Sequence, residues 1–173
     1  MQSMCWSGLG FGVAFSAMMA VPLLAQDALA VPQGEVILTV TGGIAARNAG
    51  DAAELDLAML EAMGSVKIET HTIWSDGPQV FEGVPLATLL ERLGAEGTVI
   101  AASALNDYTV EIPMADAVAE GPIVAYRQNG AVLSVRDKGP LWVVYPYDSD
   151  PAYQTEVIYA RSIWQLARME VKP

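Results

Sequence analysis

The chain carries one histidine, His71, and one cysteine, Cys5. Cys5 precedes an uncharged apolar stretch over residues 8–25, so everything after that stretch lacks a thiol. This removes most nucleophile, redox and metal chemistries at the outset. His71 has the residue type for proton transfer or metal ligation, because an unperturbed imidazole titrates near neutrality. Flanking Thr70 and Thr72 offer the hydrogen bonds of an ordinary strand histidine. A zinc site needs about three or four N, S or O ligands, and here only carboxylates are left to complete one. Asp148-Ser149-Asp150 begins like a calcium loop but lacks that loop's glycine and distal glutamate, which is the pattern of a solvated turn. Ser103, Ser134 and Ser162 have no nucleophile-elbow context. Arg127, Arg136 and Lys138 suit a small anion, or else ion pairing with Asp137 and its neighbours. Trp74, Trp142, Tyr145, Tyr147 and Tyr153 suit core packing or the lining of a cavity.

Composition narrows the classes further. Twenty carboxylates against nine lysines and arginines give a formal net charge of −11. Such a chain repels phosphate polymers and anionic membranes, so nucleic acid is not an expected partner. Residues 8–25 contain no charge and end near Pro22 and the small-residue exit QDALA. That is the layout of a secretory signal peptide, although the preceding segment MQSMCWS has no Lys or Arg. The expectation is a signal peptide over residues 1–30, cut after Ala30 or alternatively after Ala25. A membrane anchor is the competing reading. Residues 31–173 then form a single periplasmic or secreted domain, large enough to bury a core without disulfides.

The elements that must position these residues read as follows. Val36 to Thr41 is β-rich and ends at Gly42-Gly43. Residues 47–54 are polar and alanine-rich, as in a loop, and Leu55 to Met63 has helical spacing. Val66 to Trp74 is extended, and Ser75-Asp76-Gly77-Pro78 is a turn cluster. Pro85 to Leu93 is the clearest helix, with Pro85 in its first turn and Gly94 at its end. Strands follow at Val99 to Leu105 and Tyr108 to Ile112, around an Asn106-Asp107 turn, then a short helix at Pro113 to Glu120. Asn129-Gly130 joins Ile123 to Gln128 and Ala131 to Val135 as a type I′ hairpin. Leu141 to Tyr145 is continuously apolar and expected to be buried on both faces. Glu156 to Val171 has an ambiguous period and is read as strand. The fold class is α+β, one domain, with more strand than helix.

The segments FEGVPLATLLERLGA, ALNDYTVEIPMADA, YRQNGAVLSV and RDKGPLWVVYP, in that order, resemble the sulfite-oxidase-type molybdopterin-binding domain, and its small secreted members most. The resemblance runs from about Val36 to the C-terminus. It implies a mixed, sheet-rich α/β architecture. It also implies a pterin-bound molybdenum held by one cysteine thiolate, a few residues before a Trp-Ser pair. Here that stretch is Glu69-Thr70-His71-Thr72-Ile73-Trp74-Ser75, and Thr70 falls where the thiolate stands. A soft thiolate suits such a metal and a hydroxyl does not.

The resemblance therefore implies a non-catalytic relative, with no cofactor expected although molybdopterin belongs to the family. Its former cofactor cleft would take a small ligand or a partner protein, lined by Thr70, His71, Trp74, Asn106, Tyr108, Arg136, Lys138 and Tyr147. A sensor kinase or a redox membrane subunit would be the kind of partner. The alternative is a molybdopterin-dependent oxidoreductase, or a subunit of one, that works without a protein cysteine.

Overall fold

The first strand, β1, spans Val36–Gly42 and pairs in parallel with the last, so the two ends of the domain close one sheet. The structure, a computed structural model, describes residues 29–173. The expected signal peptide core and Cys5 lie outside them. Between the two end strands come β2 (Ala53–Asp56), α1 (Leu57–Ala62), β3 (Val66–Thr72), β4 (Ser75–Pro85) and α2 (Leu86–Arg92). There follow β5 (Val99–Ala104), β6 (Thr109–Pro113), β7 (Ile123–Gln128), β8 (Ala131–Val132) and β9 (Trp142–Val144). α3 (Glu156–Arg161) and β10 (Leu166–Lys172) complete the chain. One five-stranded sheet has the order β2-β1-β10-β5-β6. The other runs β3-β4-β7-β8, with β9 also paired to β7. The result is the α+β, sheet-rich mixed architecture expected, with three short α-helices among ten strands in the described residues.

One continuous apolar core fills the interior, with Leu38, Leu55, Leu60, Phe81, Leu89 and Trp142 inaccessible to solvent. α2 supplies Leu86, Leu89 and Leu90 from one face, as its spacing indicates. Pro85 leads into it, and Gly94 follows with φ +57°. Asn129 (φ 51°) and Gly130 (φ 83°) form the hairpin turn between β7 and β8. β9 is buried throughout, consistent with its continuous apolar run. Gly83 is required by packing rather than by φ. A Cβ there would collide with the backbone of Val124 and Ala125 across the β4–β7 pair.

Four elements differ from expectation. The end of the polar, alanine-rich stretch and the first two residues of the expected helix form β2, Ala53–Asp56, because Ala53 and Leu55 bury against β1 while Glu54 is only half-buried. The helix that follows is correspondingly short and begins after Asp56. The turn between β3 and β4 falls at Ile73-Trp74, and Ser75 to Pro78 join β4 instead. The helix expected after Pro113 is a single 3-10 turn, Met114–Asp116. The segment from Glu156 is a helix before it becomes a strand. Thr155 caps it by accepting from Ile158 N at 3.4 Å, with Glu156 in its first turn and Arg161 in its last.

Asp56 ties the start of the domain together. It is 3% exposed. Its Oδ1 accepts from Met59 N at 2.9 Å, capping α1, and its Oδ2 accepts from Gln33 N and Gly34 N at 2.8 Å each. These backbone N–H groups, that of Gly34 foremost, hold its carboxyl below the usual carboxylate range despite burial. Among the described residues, no helix is long and apolar enough to cross a membrane.

Candidate functional site

The β3–β4 turn places Trp74 at the centre of an aromatic cluster. Its ring lies 5.6 Å from Trp142, 5.6 Å from Trp164, 5.8 Å from Tyr159 and 6.4 Å from Tyr147, centroid to centroid. All four contacts are edge-to-face, with interplanar angles from 64° to 84°. Such pairs add about 0.5–1.5 kcal/mol each beyond area burial, enough to fix the ring positions. On one side of the cluster opens a cavity of about 370 Å³. Trp74, Tyr159 and Trp164 line it with Asn106 and Tyr108 from the β5–β6 turn and Gln165 from the start of β10.

The wall behind this cavity is a closed hydrogen-bond system. Tyr147 OH donates to Ser162 Oγ at 2.7 Å, Ser162 Oγ donates to Ile158 O at 2.8 Å, and Trp142 Nε1 donates to Ser162 O at 3.1 Å. Burial pushes the Tyr147 phenol up to about 12, so it remains a neutral donor. Ser162, 1% exposed, has its hydroxyl engaged by Tyr147 OH and Ile158 O, as in a structural role.

Of the eight residues expected to line a site, Trp74, Asn106 and Tyr108 share this cavity. Tyr147 backs it through its contact with Trp74. Lys138 holds its ammonium 5.3 Å from the Trp142 ring centroid, and its carbonyl accepts from Gln165 N at 2.9 Å. It supports the cavity from behind and does not line it. Arg136 sits exposed in the 3-10 turn Val135–Asp137 and lines neither of the two cavities described here. Arg127 is engaged elsewhere, 2.6 Å from Glu61 and 3.6 Å from Glu82. Asp137 accepts from Ser134 Oγ at 2.6 Å.

Thr70 and His71 form a separate constellation with Asp148. Thr70 is 1% exposed, and its Oγ1 accepts from Asp148 N at 3.1 Å. His71 donates its backbone N–H to Asp148 Oδ2 at 2.8 Å, and its Nδ1 lies 2.8 Å from the same oxygen. The His71 side chain, followed by its backbone N–H, holds the Asp148 carboxyl below its ordinary range. Asp150 accepts from Ala152 N at 2.8 Å. The acidic run at 148–150 is thus a capped turn. Among the described residues, no group of three or more His, Cys, Asp or Glu is placed to hold a metal.

The residues that sequence reasoning missed are Tyr159, Trp164 and Gln165. They fall in the segment read as one strand, where the signal overlooked was the Thr155 cap. Ser162 was considered only as a nucleophile.

The donor set does not fit the phosphate-bearing molybdenum cofactor that the resemblance implies. Thr70, which the spacing puts where the resemblance expects the thiolate, offers a hydroxyl already bound to the Asp148 N–H. A cofactor phosphate needs charge-assisted donors around it. No Lys, Arg or His lines the smaller cavity. A larger groove of about 1050 Å³ runs between the sheets past Arg127 and Arg168. Both arginines are already paired, Arg127 with Glu61 and Arg168 with Asp107 at 2.5 Å, and Asp56 and Glu35 also line the groove.

Comparison with known proteins agrees with the architecture. The sulfane dehydrogenase SoxCD from Paracoccus pantotrophus superposes with a TM-score of 0.57 at 16% identity, covering 84% of this chain. The match spans 40% of that protein's chain, and at this identity the likeness is one of fold. No curated protein matches in sequence. The family model of the oxidoreductase molybdopterin binding domain matches residues 53–148, more than half of the chain, from the start of β2 to Asp148, whose N–H meets Thr70. The chain belongs to the oxidoreductase molybdopterin binding domain family.

Proposed function

We propose that the chain is an exported, non-catalytic member of its family that binds a small molecule in the cavity between Trp74, Tyr159 and Trp164. What supports this reading is Thr70, which by spacing falls where the resemblance puts the metal thiolate, and whose hydroxyl is buried and bonded to Asp148 N. A hydroxyl is a poor ligand for the soft pterin-bound metal, and the aromatic cavity nearby offers no cationic donor for a phosphate. What it does offer is the usual composition of a small-molecule site, apolar and aromatic walls with a few polar groups.

The competing reading is a molybdopterin-dependent oxidoreductase, or a subunit of one, that dispenses with the protein thiolate; family membership is compatible with it. Molybdenum and pterin analysis of the full chain, expressed with export in molybdenum-replete cells, separates the two. The binding-protein reading expects neither above background, and near-stoichiometric amounts of both support the oxidoreductase. For an exported binding protein, a periplasmic or membrane partner such as a sensor kinase or redox subunit is the expected recipient of the signal. Co-purification at fixed stoichiometry tests that role.

A further inference from the structure

We infer that the aromatic cavity takes a small, weakly hydrated organic cation of the quaternary or polymethylated ammonium class. This rests on the binding-protein reading above and names its ligand chemistry. Three observations combine. First, the lining among the described residues has no charged side chain, while four aromatic residues, Trp74, Tyr108, Tyr159 and Trp164, contribute to it. An anion finds no counter-charge there, and a strongly hydrated metal ion finds no carboxylate to replace its water. The face of an aromatic ring attracts a cation that is cheap to desolvate.

Second, the lining rings that touch Trp74 pack edge to face and not in parallel. Trp164 stands at 78° and Tyr159 at 84° to Trp74. A flat neutral ligand is best held between parallel rings, whereas walls near right angles suit a compact, rounded head group. A cavity of about 370 Å³ is at the small end for ligand sites, in keeping with such a head group. Gln165 donates its side-chain amide to Val135 O at 2.9 Å, which leaves its amide oxygen as the acceptor for a polar tail.

Third, the electrostatics of the whole chain agree. A net charge of −11 draws cations toward the surface and raises their local concentration. The same cluster already holds one cation, since Lys138 Nζ lies 5.3 Å from the centroid of the Trp142 ring, which packs against Trp74.

Isothermal titration of the purified full-length chain with choline and with its uncharged isostere 3,3-dimethylbutan-1-ol tests the inference. Choline is expected to bind at least about tenfold more tightly than the isostere. Trp164→Leu and the exposed Tyr108→Leu are expected to reduce choline affinity while leaving the circular dichroism spectrum unchanged. Equal binding of the isostere overturns the cationic ligand but keeps a small-molecule cavity. No choline binding at millimolar concentration also overturns it, and this comparison within the wild type does not depend on any variant folding. The binding-protein reading fails separately, on the molybdenum and pterin content.

Discussion

At the residue scale, the proposed reading turns on Thr70, and Asp56 fixes how the domain begins. On the binding-protein reading, Thr70→Cys is expected to give no molybdenum uptake, because a cofactor phosphate also needs cationic donors, which the aromatic cavity lacks among the described residues. Metal analysis of the variant checks this, and loading of the variant alone would show that only the thiolate was lost. Asp56→Ala removes a helix cap and two further backbone contacts, and is expected to cost about 2 kcal/mol in urea unfolding. Because the folded-state pKa of Asp56 is depressed, its stabilisation is complete above the unfolded value of 3.8 and is lost as pH falls through the folded value. Asp56→Asn should therefore flatten the acid limb of the stability–pH profile below about pH 4. A variant as acid-sensitive as the wild type would contradict this. Asp148, also depressed, adds to the same limb through its hydrogen bonds from His71.

At the element scale, the close β4–β7 pairing positions the long strand that follows Trp74. Gly83→Ala places a methyl group against Val124 O and Ala125 Cα, with an expected cost of about 1–3 kcal/mol in denaturant unfolding. Unchanged stability would show that the two strands separate freely. This scale also shows how far a sequence can be read. The Asn129-Gly130 hairpin and the Pro85 to Gly94 helix were legible because their end signals are local: positive φ at the turn, proline and glycine at the helix ends. β2 was not, since Ala53 and Leu55 become strand residues only by burying against β1, a partner that no local pattern names. Trp74 could be singled out from its motif. Tyr159 and Trp164 could not, because α3 is too short to show a period and its Thr155 cap is a single residue. The cavity exists only after the β10–β5 pairing brings Gln165 beside the Asn106 turn.

At the scale of the whole molecule, the chain keeps the fold of its family. The parallel β1–β10 pair closes the domain, and the aromatic cluster lies where β4, β9 and α3 converge. Intact-mass analysis of the exported protein is expected to show a chain beginning at Val31 or Gln26; a chain retaining Met1 contradicts export by a cleaved signal peptide. Leu29 packs against the core, and Ala30 O accepts from Asn48 Nδ2 at 2.6 Å. Cleavage after Ala25 keeps these contacts, and cleavage after Ala30 removes them. The most direct test of a cofactor-free binding protein is the molybdenum and pterin content per chain after molybdenum-replete expression, measured beside a cysteine-bearing relative purified in the same way. The expected result is a loaded relative and an empty wild-type chain. Molybdenum and pterin near one per chain in this protein would contradict the account.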